Sequence, residues 1–174
     1  MEKSLDSKRI YSGRAVNLRV DTVQKTSGAV TTREVVEHGD CIAVVVLDER
    51  DDVVMVRQYR WPVRKILLEI PAGGIEVGEK PEECVKRELQ EEIGYLPRKI
   101  NKIGGFYVAP GYCTEFMHLF LASDLKKSRL VAEDTDEIEV VRIHPVDIPH
   151  LIECGEICDA KSIVGLLAVL RKAI

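Results

Sequence analysis

Two runs of β-branched residues constrain the fold most. Residues 41–48 read CIAVVVLD and residues 53–59 read VVMVRQY, with a charged turn at 49–52 between them. Short apolar runs of this kind, split by turn residues, signal a β-hairpin. Further strands are expected at 16–24 and 30–37, around a turn at Ser27 and Gly28, and again near 102–109, 115–122 and 137–144. Residues 66–70 form a short apolar run that ends at Pro71, and Ala72, Gly73 and Gly74 read as a flexible loop.

One segment in the middle is different. Pro81 suits the first turn of a helix, and the charges of Glu82 and Glu83 suit its N-terminus. That helix should run to about Ile93, where Gly94 closes it and Pro97 forbids its return. The C-terminus reads as helices over 145–154 and 159–173. Many strands, one helix, more strands and terminal helices argue a mixed α/β or α+β sheet rather than regular βαβ alternation.

The chain has 174 residues, which suits one core. Its net charge of -4 gives no general affinity for nucleic acid, whose phosphates need a basic face. No apolar run reaches the ~20 residues of a membrane span. The charged N-terminus, MEKSLDSKRI, lacks the apolar core of a signal peptide. Cys41, Cys84, Cys113, Cys154 and Cys158 are odd in number and scattered, which implies reduced thiols in a cytoplasmic protein. Cys154 and Cys158 have the spacing to face each other on one helix turn. His38, His118, His144 and His150 form no ligand pair, and Met55 and Met117 read as core.

The chemistry is concentrated in residues 73–95, GGIEVGEKPEECVKRELQEEIGY. On a helix Glu88, Glu91 and Glu92 share one face, and Val85, Leu89 and Ile93 form an apolar stripe beside it. Such a helix buries the stripe and presents three carboxylates that repel one another. Hard divalent cations offset that repulsion, and carboxylate oxygen is what magnesium prefers. Charge alone also fits a solvated acidic face.

Spacing decides between them. Gly73 is followed by five residues and Glu79; seven more precede Arg87 and Glu88; then come Leu89, Glu91, Glu92 and Gly94. This resembles the Nudix box, the loop–helix–loop signature of the Nudix hydrolases, at every charged and glycine position. Tyr95 departs from it, standing where the family prefers an aliphatic residue. The resemblance implies an α/β/α sandwich. It implies Glu88 and Glu92 as the main ligands of Mg2+, with Mn2+ as a substitute, and Glu91 assisting directly or through water. The Ala72 carbonyl is the implied backbone ligand, and Gly73 and Gly74 keep side chains out of its way. Arg87 is expected to pair with Glu79 and hold the loop to the helix.

The flanks resemble the ADP-ribose pyrophosphatases of that family: the run from REVVEHGD to EIPAGG, Pro110 sixteen residues beyond Gly94, and ECGEICDAKSIVGLL near the C-terminus. The implied reaction splits ADP-ribose into AMP and ribose 5-phosphate. Another nucleotide sugar such as GDP-mannose, a dinucleotide, or a non-catalytic ADP-ribose sensor are the alternatives. By the same resemblance Arg60 contacts the substrate's phosphate or ribose, and Arg33, with Glu34, reaches the substrate of a partner subunit. Residues 1–40 then serve as a dimerisation subdomain whose strands are exchanged in a homodimer, and 41–174 form the Nudix domain. Glu69 binds ribose or adenine or simply ends a strand. Glu115 sits near the metal or at the surface. Trp61 packs at a dimer interface or over the pocket. The catalytic base is expected in the acidic loop 132–140, with carboxylates at Glu133, Asp134, Asp136 and Glu137; alignment through Ile138 selects Asp136 and reach favours Glu137. A closing loop delivers such a base only once substrate is bound.

Overall fold

The computed structural model describes residues 1–132 and 137–171. The chain divides into two compact units, one comprising residues 1–40 with 107–116, the other 41–106 with 117–174.

In the first unit β1 (Lys3–Ser12), β2 (Asn17–Gln24) and β3 (Val30–Glu37) form an antiparallel sheet in that order. β1 is unexpected from the sequence: all ten of its residues are exposed, so no buried face imposes an alternating pattern. Salt bridges lace this sheet, with Arg19 joining Asp21 and Glu37 and Arg33 joining Glu2. Segment 107–116 is tied to β3 through hydrogen bonds from Val36 N to Tyr112 O at 2.7 Å and from Thr114 N to Val36 O at 3.0 Å.

The second unit is a three-layer α/β/α sandwich around a mixed sheet. Its strands are β4 (Cys41–Leu47), β5 (Val53–Arg60), β6 (Lys65–Glu69), β7 (Ala72–Gly74), β8 (Tyr95–Tyr107), β9 (Phe116–Lys127) and β10 (Glu139–Ile143). The main order is β10-β5-β4-β9-β8, with β6 beside β5 and β7 beside β4. The expected hairpin is present, since β4 and β5 pair antiparallel at Val46–Val54 and Leu47–Val53. β4 also runs parallel to β9 from Cys41 to Val46.

β4 is apolar at every position because both its faces are covered. Cys41, Ala43 and Val45 join Met55, Leu119 and Ile148 in one core; Ile42, Val44 and Val46 join Val54, Val56 and Phe120 in the other. The second core is closed by α1 (Pro81–Glu92), whose Val85 and Leu89 are fully buried with Ile93 just beyond them. Each such side chain contributes roughly 1.5–3 kcal/mol by leaving water. The first core is closed by α2 (Ile148–Glu153) and α3 (Ala160–Leu170).

Three expectations need correction. Ala72, Gly73 and Gly74 are not a free loop but a short strand paired with β4, Ala43 facing Ala72 and Cys41 facing Gly74. β8 begins at Tyr95 rather than near 102, directly after Gly94 stops α1 at φ +76°. Cys154 and Cys158 do not share a helix turn, because α2 ends at Glu153 and α3 begins at Ala160. None of the five cysteines is assigned to a disulfide, and Cys41 and Cys84 are buried. Met55 and Met117 are core as expected. Among the described residues no helix is long and apolar enough to cross a membrane.

β6 pairs with β5 and β7 pairs with β4, although only Ile70 and Pro71 separate them. The sheet therefore forks at that point. α3 is held close by Gly165, where an added Cβ would lie 2.9 Å from Ile70 Cδ1 and 3.1 Å from Leu119 Cδ1. Gly165→Val should accordingly lose about 1–3 kcal/mol through overpacking. Thermal melting would read this as a lower Tm, and an unchanged Tm would show that α3 is not seated so tightly.

Candidate active site

α1 carries the acidic face. Pro81 occupies its first turn, and the Glu83 carboxylate accepts from the Lys80 backbone N–H at 3.2 Å. Packing of Cys84, Val85 and Leu89 on the sheet fixes the helix's rotation, so Glu88 and Glu92 meet the β7 segment, while Glu91 stays half-buried against Arg87. Glu92 is only 6% exposed, and its Oε2 accepts from Ala72 N at 3.3 Å. The Glu88 carboxylate occupies the space over Gly73, where any Cβ would come within 1.9 Å of Oε1. A side chain at position 73 would therefore displace that carboxylate.

Arg87 is the hub of the helix–loop junction. Its Nε and Nη2 donate to the two Glu79 oxygens at 2.9 and 3.0 Å, and Nη2 also donates to Gly74 O at 2.9 Å. Nη1 donates to Glu88 at 2.6 Å and Glu91 at 3.2 Å. Its hydrogen bonds to Glu79 and the charge of Glu88 hold the guanidinium well above its ordinary pKa, and the same pairing lowers that of Glu79. Arg87 reaches only as far as Glu91. Burial, then the charge of Glu88, pushes the Glu92 carboxyl up to about 8, against the opposing pull of Ala72 N–H, Arg60 and Lys161. Burial likewise raises Glu88.

These groups fit a divalent cation. The donors are all oxygen, they are partly desolvated, and their mutual repulsion is only partly offset by Arg87. Glu88, Glu91 and Glu92, with the Ala72 carbonyl, are the residues that would hold it.

A second charged array lies next to Glu92. Arg60, at the end of β5, donates from Nε to Glu69 Oε1 at 2.9 Å and from Nη2 to Oε2 at 2.7 Å. Lys161, in the first turn of α3, donates to the same Glu69 Oε2 and to Asp159 Oδ2 at 2.9 Å. Ser162 Oγ accepts from Ile70 N at 2.8 Å. Glu69 is 1% exposed; burial alone would raise its pKa, yet the bonds from Arg60 and the charge of Lys161 lower it overall. Glu69 does end a strand, but as a fully paired buried charge. Sequence reasoning assigned no role to Asp159, Lys161 or Ser162. The available signal was a lysine in a helix's first turn, where the helix dipole disfavours it unless an anion is near.

The remaining candidates are dispersed. Arg33, Pro110 and Glu115 belong to the first unit, with Arg33 paired to Glu2 and Pro110 exposed in the turn that Tyr112 N and Cys113 N close onto Ala109 O. Trp61 is exposed in the turn after β5, edge-on to Tyr59. Glu137 lines a cleft of about 200 Å³ with Arg57, Tyr59, Ile66 and Glu139. By strand alternation, Arg57 and Tyr59 lie on the face of β5 opposite Arg60, so Glu137 does not stand beside the box. Glu133, Asp134 and Asp136 lie outside the described residues.

The NUDIX domain family model matches residues 37–163. An ADP-ribose pyrophosphatase of Bacillus subtilis (strain 168) is 39% identical over 163 residues, covering 92% of this chain and 88% of the relative. A methanol dehydrogenase activator of Bacillus methanolicus is 35% identical over 95% of this chain and 90% of its own length. A solved structure described as that of an ADP compounds hydrolase superposes with a TM-score of 0.90 over 98% of this chain and 92% of its own, at 20% identity, which supports the fold alone. The chain belongs to the Nudix hydrolase family.

Gly73→Ala should leave stability nearly intact, since the Glu88 carboxylate is a mobile end group that can swing away. Turnover should nevertheless fall about tenfold or more, as displacing a candidate metal-holding carboxylate predicts; normal turnover would remove Glu88 from the candidates. The Glu92 shift makes a second prediction. Its folded pKa, about 8, lies above the ordinary carboxylate value of 4.5, so its contribution to stability is fully present below 4.5 and is lost as pH rises through 8. Metal-free protein in chelator should therefore lose Tm across that window more steeply than Glu92→Gln, and equal slopes would refute the buried-charge account.

Proposed function

We propose that this chain hydrolyses the pyrophosphate of ADP-ribose to AMP and ribose 5-phosphate, using Mg2+ or, as a substitute, Mn2+. The observation that carries this reading is the approach of Glu88 and Glu92, from one helix, to the Ala72–Gly73 backbone. The substrate follows from the extensive similarity to the Bacillus subtilis enzyme. When bound, the metal neutralises pyrophosphate oxygens and acidifies the attacking water.

The chain's own residues have separate tasks. Glu88 and Glu92 hold the metal, and Glu91 assists directly or through water. Arg87 and Glu79 clamp the loop bearing Ala72 and Gly73 to the helix. Arg60 turns its exposed side towards a substrate phosphate, while the buried Glu69 fixes its other edge. The base is drawn from the acidic 132–140 segment, at Asp136 or Glu137. The protein acts as a cytoplasmic homodimer, in which residues 1–40 exchange strands and Arg33 reaches the partner's substrate. Five cysteines, none assigned to a disulfide, suit a reducing compartment.

Product analysis with Mg2+ tests the reading against GDP-mannose, dinucleotides and nucleoside triphosphates. AMP and ribose 5-phosphate should form fastest from ADP-ribose, and chelation should stop the reaction. Glu92→Gln should reduce turnover about a hundredfold or more, as loss of a single electrostatic stabiliser does. Faster turnover of another nucleotide would overturn the substrate, and tight ADP-ribose binding without hydrolysis would make the protein a sensor.

A further inference from the structure

The Arg60–Glu69 pair is not isolated. A buried carboxylate held by one arginine would form a closed pair, its charge and that of the guanidinium largely spent on each other. Here Lys161 supplies a second cation to Glu69, on the same Oε2 that Arg60 Nη2 meets, and Asp159 holds Lys161 in place. The Asp159 side chain also accepts from Ser162 N at 3.2 Å, which caps α3 and fixes the turn that bears Lys161. The two cations differ in access. The Arg60 side chain is 37% exposed, whereas that of Lys161 is 14% exposed. Among the described residues Arg60 spends Nε and Nη2 on Glu69, and no hydrogen bond is made by Nη1. Lys161 is thus poorly placed to touch a soluble substrate, and Arg60 is well placed.

We propose that Lys161 is a positioning residue for Arg60, acting through the Glu69 carboxylate that the two cations share, and that this array sets how firmly the substrate's phosphate is held. The proposal rests on the assignment of Arg60 as a phosphate contact. With Lys161 present, Glu69 is neutralised by two cations and Arg60 keeps charge to offer outward. With Lys161 neutral, Arg60 becomes the sole counter-ion of a buried carboxylate and is drawn to it. The substrate then loses binding, while the metal-holding face of α1 keeps its own residues.

The test is a double-mutant cycle in steady-state kinetics with ADP-ribose and Mg2+. Arg60→Ala should raise KM about tenfold or more, and Lys161→Met about three- to tenfold with kcat within about twofold. Lys161→Arg should recover most of that loss. In the Arg60→Ala background, Lys161→Met should add less than about a twofold effect, because the residue through which it acts is gone. Multiplicative effects would overturn the proposal while leaving Arg60 as a contact. An unchanged KM in Arg60→Ala would overturn both. Failure of Lys161→Arg to restore KM, with Tm falling in step, would make Lys161 merely structural. Should Lys161→Met not fold, Glu69→Gln paired with Lys161→Met removes both charges. That pair should match Glu69→Gln alone in KM within about twofold, and a larger gap would again overturn the proposal.

Discussion

Like charges held out of water govern this structure. Glu88, Glu91 and Glu92 are brought together by the apolar side of the same helix, since burying Val85 and Leu89 leaves the carboxylates nowhere else to point. Repulsion among them is balanced locally by Arg87, which also binds Glu79 and the Gly74 carbonyl. The same guanidinium therefore joins three things: the helix, the turn before it and β7. Glu92 lies beyond its reach and is met by one backbone N–H, so its charge is the least compensated of the set. That residual charge is what a cation at the site would offset.

The fork in the sheet gives this arrangement its footing. β6 and β7 are nearly continuous in sequence yet pair with different strands, and Val44 N donates to Pro71 O at 2.9 Å as the chain crosses between them. The Ala72–Gly73 backbone is held by β4 on one side and approached by α1 on the other. Immediately before it, Glu69 and Ile70 are gripped by the first turn of α3. The segment that faces Glu88 and Glu92 is fixed by tertiary contacts rather than by any preference of its own residues.

That contrast explains what could be read from the sequence. The β4–β5 hairpin, the helix from Pro81 to its stop at Gly94, and the apolar stripe of α1 follow from local periodicity and were legible. So was the spacing of the box residues. β7 was not, because Ala72, Gly73 and Gly74 have little strand propensity and pair only because β4 lies alongside. β1 was not, since its exposed residues carry no pattern. The α2 region was expected as one helix over 145–154, but it opens with a 3-10 turn at Pro145–Asp147 before α2 begins at Ile148; Pro149 lacks the N–H that a continuous helix would use there. The partners of Glu69 were invisible, since residue 161 lies ninety-two positions away.

Arginine identity alone would not have separated the two guanidiniums near the metal face. Arg87 has every donor nitrogen engaged by the protein, and its five oxygen acceptors all sit on the loop or on its own helix. It is committed to structure. Arg60 is engaged along one edge by a carboxylate that a second cation also neutralises, and its other side meets solvent. Both stand among buried glutamates and both have raised pKa values, so neither charge nor sequence spacing distinguishes them. What distinguishes them is how many of their hydrogen bonds are already made. Arg87 has no donor nitrogen left to offer, whereas Arg60 keeps an exposed side beside a carboxylate that Lys161 also neutralises.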